Sequence, residues 1–160
     1  MSETGTAEER LELLGITLPA PLPPLTGHAP LVISRGMVYV SGHGPLDQDR
    51  VPLFAGRVGG ERTEAEGHAA ARLCALNVLA SLRAELGSLN RVAQVVRLTG
   101  YVSSTDDFHR QPWVVDGASE VFQEVFGPER GRHARTSVGV STTALDMTVT
   151  IDTLFELEPE

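Results

Sequence analysis

The stretch GRHARTSVGV at 131–140 sets a cation at the entrance to a run that reads as a strand. Arg135 cannot shed its proton, so burying it demands an anionic partner. That anion is either an internal carboxylate or the carboxylate of a ligand, which a planar guanidinium can grip with two parallel bonds. Composition closes other routes. All thirteen basic residues are arginine, which leaves no Schiff-base lysine, no lysine anchor for pyridoxal phosphate and no Walker A loop. Cys74 is the single cysteine, so neither an intrachain disulfide nor a thiolate cluster can form. His28, His43, His68, His109 and His133 show no H-x-H or H-E-x-x-H spacing, and neither a metal nor a cofactor is expected. SGHGP at 41–45 is interrupted by Pro45 and precedes no helix, unlike a phosphate loop, and no G-x-S-x-G elbow is present.

The elements that must position Arg135 are legible from caps and periodicity. TAEERLELLG at 6–15 carries a capping box, Thr6 to Glu9, and a glycine stop, which predicts a short helix. The proline-rich LPAPLPPLTG at 18–27 cannot continue it and reads as an extended arm. PLVIS and MVYVSG flank Arg35-Gly36, a two-residue hairpin signal. Residues 43–62 read as a long connection with a short strand near Phe54. The segment 63–87 is the clearest helix, with a second capping box, Thr63 to Glu66, and Gly87 as its C-terminal stop. A strand is expected over 91–104, where Gly100 marks a bulge or a close backbone approach. A second long helix follows over 111–127, with Val114, Ala118, Val121 and Val125 on one face. Strands at 135–141 and 147–157 close the chain. In the last, Met147, Val149, Ile151 and Phe155 alternate with Thr148, Thr150 and Asp152.

This order predicts one α+β domain over 1–160, a mixed sheet with two helices on one face, and residues 1–27 as an N-terminal helix and arm. The opposite face, bearing Thr150 and Asp152, is too polar for a dry core, and a second copy of the chain would cover it. A net charge of −8 and the lack of a basic stripe argue against nucleic acid. No apolar run has the length of a membrane span or a signal peptide, so a cytoplasmic protein without membrane contact is expected.

Three stretches taken together, VYVSGHGP (38–45), the run from Ala69 to Phe108, and VDGASEVFQEVFGPERGRHARTSVGV (115–140), resemble the reactive intermediate deaminase family, the Rid or YjgF type. Within it they resemble a longer branch with a G-R-H-A-R signature. The resemblance implies a chorismate-mutase-like fold and a homotrimer with clefts between subunits. It also implies hydrolysis of reactive enamines or imines, such as 2-aminoacrylate, to a keto acid and ammonia. On this pattern Arg135 matches the arginine that holds the substrate carboxylate, and Ser41-Gly42 matches the Ser-Gly facing the imine and a water. Ser137 matches a small residue two beyond the arginine, and His28 stands where a tyrosine closes the pocket.

The pattern breaks on the last strand. Where the family carries a glutamate that orients or activates water, this chain has Thr150, and Asp152 stands at the second acid position. A threonine supplies no acid–base function, which ordinarily contributes ~10²–10⁴-fold. Asp152 lies about 7 Å further along the same strand face, and His28 or His43 titrates in the useful range. Three functions stay open: imine hydrolysis, a different transformation of a reactive intermediate, and a non-catalytic trimer that binds small acids. An endoribonuclease role fits the acidic chain least.

Overall fold

A computed structural model describes residues 5–23 and 25–159; residues 1–4, Pro24 and Glu160 of the expected 1–160 domain lie outside them. The element order is α1 (Ala7–Leu14), β1 (Leu31–Ser34), β2 (Met37–His43), α2 (Glu64–Leu86), β3 (Val92–Ser103), α3 (Gln111–Arg130), β4 (Ala134–Val140) and β5 (Val149–Leu157), with short 3₁₀ turns at 89–91 and 144–146. The strands form one mixed sheet ordered β1-β2-β5-β3-β4. β3 and β4 run parallel, joined by the α3 crossover, and the other pairs are antiparallel. The architecture is α+β.

Both predicted capping boxes form. Thr6 and Thr63 each accept a hydrogen bond from the backbone N–H three residues on, and Glu9 and Glu66 accept one in return. Arg35 and Gly36 both take positive φ, 52° and 76°, the twist a tight hairpin needs. α3 breaks at Gly127, where φ is 84°, before a last turn through Arg130. The core lies between the sheet and helices α2 and α3, with Leu79, Leu82, Leu98, Phe122, Ile151 and Phe155 fully buried. α1 packs mainly against α3 as a third helix outside this layer.

Close approach explains two glycines. A Cβ on Gly100 would lie 2.4 Å from Val115 Cγ2, and one on Gly117 would lie 2.1 Å from the carbonyl oxygen of His68. Gly100 therefore admits α3 onto β3, with no bulge in the ladder there. Gly117 lets α3 meet α2 backbone to backbone.

Two expectations are corrected. The strand expected near Phe54 is a single bridge, Ala55 to Met147. Thr148 does not face outward with Thr150 and Asp152: it precedes β5, is fully buried, and its hydroxyl donates to Gly56 O at 3.0 Å. The sheet face away from α2 and α3 stays partly open, with Val32, Tyr39 and Val138 56%, 54% and 37% exposed.

Candidate functional site

The site begins at an irregularity in β2. Val40 pairs with Thr153 and His43 with Ile151, so three steps on β2 oppose two on β5. The extra residue is a β-bulge, which re-aims the chain where it occurs. It carries Ser41 and Gly42 toward Thr150: a Cβ on Gly42 would stand 3.3 Å from Thr150 Cγ2. Ser41 is anchored to the segment just before β1, with its hydroxyl donating to Ala29 O at 2.7 Å and its N–H to Pro30 O at 2.9 Å.

Around this bulge opens a cavity of about 440 Å³. Its polar wall includes His28, Ser41, Gly42, Tyr101 and Thr150, and its apolar wall includes Leu22, Leu25, Leu46, Leu145 and Met147. The arm forms part of that wall and is pinned where Gln48 donates to Ala20 O and Arg50 to Pro23 O. On the far side the chain turns at Leu145 and Asp146 with φ of 56° at each, a strained conformation for both residues. Thr150 Oγ1 is buried without a hydrogen-bond partner. An orphaned hydroxyl in a cavity wall is available to a ligand or a water.

Tyr101 is the residue that sequence reasoning missed. It sits on β3 directly beside Thr150 in the ladder, and its hydroxyl donates to Asp152 Oδ2 at 3.0 Å. That bond, with Asp152's charge, pushes the Tyr101 phenol above its ordinary range. Asp152 thus reaches the cavity wall through Tyr101. The alternation Arg97, Thr99, Tyr101 was the available signal; the register that sets Tyr101 against Thr150 was not readable.

His43 lines the cavity but is committed elsewhere. It is 6% exposed, and burial holds its pKa below the ordinary histidine value. Its Nδ1 lies 2.7 Å from Ser41 O, an acceptor, so Nδ1 carries the hydrogen and Nε2 accepts from Ser81 Oγ at 2.9 Å. With both ring nitrogens used, His43 is no acid or base for the cavity. His28 is exposed on the rim.

Arg135 and Ser137 are elsewhere. In the parallel β3–β4 ladder they stand beside Leu98 and Gly100, on the face that α2 and α3 cover. The sheet therefore separates Arg135 and Ser137 from Thr150 and Asp152 within one chain. Arg135 has an internal anion after all: Nη1 donates to Asp116 Oδ1 at 2.7 Å and to Ser119 Oγ at 3.1 Å, both on α3. Among the described residues, Nε and Nη2 hold no hydrogen bond. Two donors on one edge of the guanidinium remain for a carboxylate. Ser137 Oγ is buried and unpartnered.

Among the described residues, no three His, Cys, Asp or Glu side chains come together as a metal site. No helix there is long and apolar enough to cross a membrane.

Comparison with known proteins gives the family and the fold. The family described as "YjgF/chorismate_mutase-like, putative endoribonuclease" matches residues 8–156. Protein TCP17 of Trypanosoma cruzi is 42% identical over 154 residues, 96% of each chain. The crystal structure of Atu1372 from Agrobacterium tumefaciens superposes with a TM-score of 0.86 at 37% identity, covering 95% of this chain and 92% of that one. A Shewanella oneidensis MR-1 structure, named with the same endoribonuclease description, gives a TM-score of 0.89 at 33% identity over 96% and 100% of the two chains.

Proposed function

Because the chain belongs to the YjgF/chorismate-mutase-like family, the Rid type its motifs resemble, we propose that it hydrolyses a reactive enamine or imine of a carboxylic acid to a keto acid and ammonia. The observation that carries this reading is the division of the site. A cavity lined by Ser41, Gly42, Tyr101 and Thr150 opens on one side of the sheet, and Arg135 offers a free two-donor edge on the other. One chain cannot bring these to a single small ligand. In a homotrimer with clefts between subunits, Arg135 of one copy and the cavity of its neighbour complete each site.

In that cleft the guanidinium edge takes the substrate carboxylate, and the cavity takes the rest of the molecule. Water adds to the imine carbon, and the resulting carbinolamine expels ammonia to leave the keto acid. The chain contributes position more than proton transfer, since Thr150 can only hydrogen-bond the water, and Asp152 acts behind Tyr101. Imines hydrolyse readily enough for orientation to suffice.

The test measures ammonia and keto-acid release from 2-aminoacrylate and from bulkier imines generated in situ, against the spontaneous rate. Arg135→Ala is expected to lower kcat/KM by about a hundredfold or more, the loss of two charge-assisted bonds. Thr150→Glu, restoring an acid–base group beside Ser41 and Gly42, is expected to raise it by about tenfold or more. A second reading is a trimer that binds small acids without turnover. The orphaned, non-titrating Thr150 hydroxyl favours it. It predicts Arg135-dependent binding of keto acids and no acceleration by the wild type. Ribonuclease activity is disfavoured by the net charge of −8.

A further inference from the structure

We propose that His133 is a positioning residue for the ligand carboxylate, acting through Ser119 on the Arg135 guanidinium; the inference rests on the reading that Arg135 binds that carboxylate. His133 sits in the connection between α3 and β4. Its Nδ1 is 2.7 Å from Gly131 O, a carbonyl that only accepts, so Nδ1 carries the hydrogen. Burial, and secondarily the Arg135 charge, keep the ring neutral by lowering its pKa. Nε2 is then a bare acceptor, and Ser119 Oγ, 2.9 Å away, must donate to it. That donation turns a Ser119 lone pair toward Arg135 Nη1 at 3.1 Å.

Asp116, one helical turn before Ser119 on the same face of α3, takes the second Nη1 hydrogen at 2.7 Å. Nη1 has two hydrogens, and the protein uses both. The guanidinium is thereby fixed with Nε–H and the adjacent Nη2–H facing away, a side-on pair matched to one carboxylate. The relay is itself held rigid. The His133 ring meets buried Phe122 edge-on, with centroids 5.9 Å apart at 88°, and Phe122 meets Phe155 in the same way at 5.6 Å. A flexible arginine is thus referenced, through two hydrogen bonds, to the aromatic core.

A structural role would make His133 matter only through Gly131 and Phe122, and three variants separate the two. Ser119→Ala deletes the link while leaving the histidine in place. His133→Asn keeps a donor near Gly131 O but offers nothing to Ser119. His133→Gln keeps an acceptor near the Nε2 position. Binding of 2-oxobutyrate and 4-methyl-2-oxopentanoate would be measured by titration calorimetry on the intact protein, with thermal midpoints alongside.

Ser119→Ala and His133→Asn are each expected to weaken binding by about tenfold, and to raise KM with kcat unchanged. His133→Gln is expected to recover most of the affinity. The Ser119→Ala/His133→Asn double variant is expected to bind no worse than Ser119→Ala, because the two residues act in series. Additive losses, or wild-type affinity in both single variants while Arg135→Ala abolishes binding, would overturn the relay and leave Arg135 as the carboxylate site. Wild-type affinity in Arg135→Ala, or binding of neither keto acid by the wild type, overturns both.

Discussion

The two faces of the sheet hold their charged side chains differently. On the covered face, Arg135 is bonded to Asp116 and Ser119, and Ser119 to His133, so each member of that group has its partner inside the protein. On the open face, Thr150 has no partner, Asp152 has only Tyr101, and apolar side chains stand exposed between them and the sheet edge. The Arg135 group is tied into the core, leaving one guanidinium edge and the Ser137 and Thr153 hydroxyls unpartnered around it; the open face is a surface without such a network. The difference locates specificity and accommodation separately. On the proposed function, carboxylate recognition would rest on rigid helix packing, whereas the cavity, walled by the arm and by the turn at Leu145, could vary without disturbing that packing.

The comparison breaks most visibly if α3 is moved. Gly117 lies between Asp116 and Ser119 in sequence and presses against the His68 carbonyl of α2. Gly117→Ala would set a Cβ only 2.1 Å from a backbone oxygen, a clash that no side-chain rotation relieves. It is expected to cost at least about 3 kcal/mol of stability, a fall in thermal midpoint of roughly 6–12 °C. Keto-acid affinity should fall as well, since Asp116 and Ser119 ride on the displaced helix. Ser41→Ala, on the open side, should lower stability by about 1 kcal/mol at most. A Gly117→Ala protein with wild-type stability and affinity would show that the covered network is not tied to helix packing.

Much of this frame was legible beforehand. Caps, the Arg35-Gly36 hairpin and the apolar face of α3 are local signals, and local physics decides them. The alternation on β5 correctly put Thr150 and Asp152 on one face. What could not be read was register. Asp116 and Ser119 stand one turn apart on α3, and Arg135 follows on β4, yet nothing local says that β4 turns Arg135 toward that helix rather than away. The β2 bulge at Ser41–Gly42 and the pairing of Tyr101 with Thr150 are likewise set by contacts between distant segments. Thr148 was misassigned for the same reason: alternation holds only inside the strand, and β5 begins one residue later.

Acid tests two shielded histidines, His43 packed against Ser81 of α2 and partly buried His133 beside Ser119. His43 and His133 both have pKa values lowered in the folded protein, chiefly by burial. Below the ordinary histidine value of about 6.5, the unfolded chain takes up protons that the folded one declines, so stability falls as pH drops toward the lowered values. Each group contributes a slope of at most about 1.4 kcal/mol per pH unit, and the less buried His133 contributes less than that limit. Urea unfolding between pH 7 and 5 should show this loss. His43→Gln should flatten the slope more than His133→Gln. Equal flattening would place the two rings in equivalent surroundings and weaken the contrast.

The smallest expected effect sharpens the contrast on the open face. Tyr101 donates to Asp152, and that bond stands between the β5 carboxylate nearest Thr150 and the cavity. Tyr101→Phe removes the hydroxyl while keeping the ring in the cavity wall. If water is oriented mainly by Ser41, Gly42 and Thr150, kcat/KM should change by only about two- to fivefold, in line with one neutral donor lost near solvent. A loss approaching a hundredfold would instead assign the Tyr101–Asp152 pair the acid–base work that Thr150 cannot do. The open face would then hold a finished catalytic group of its own, and accommodation would no longer be its whole task.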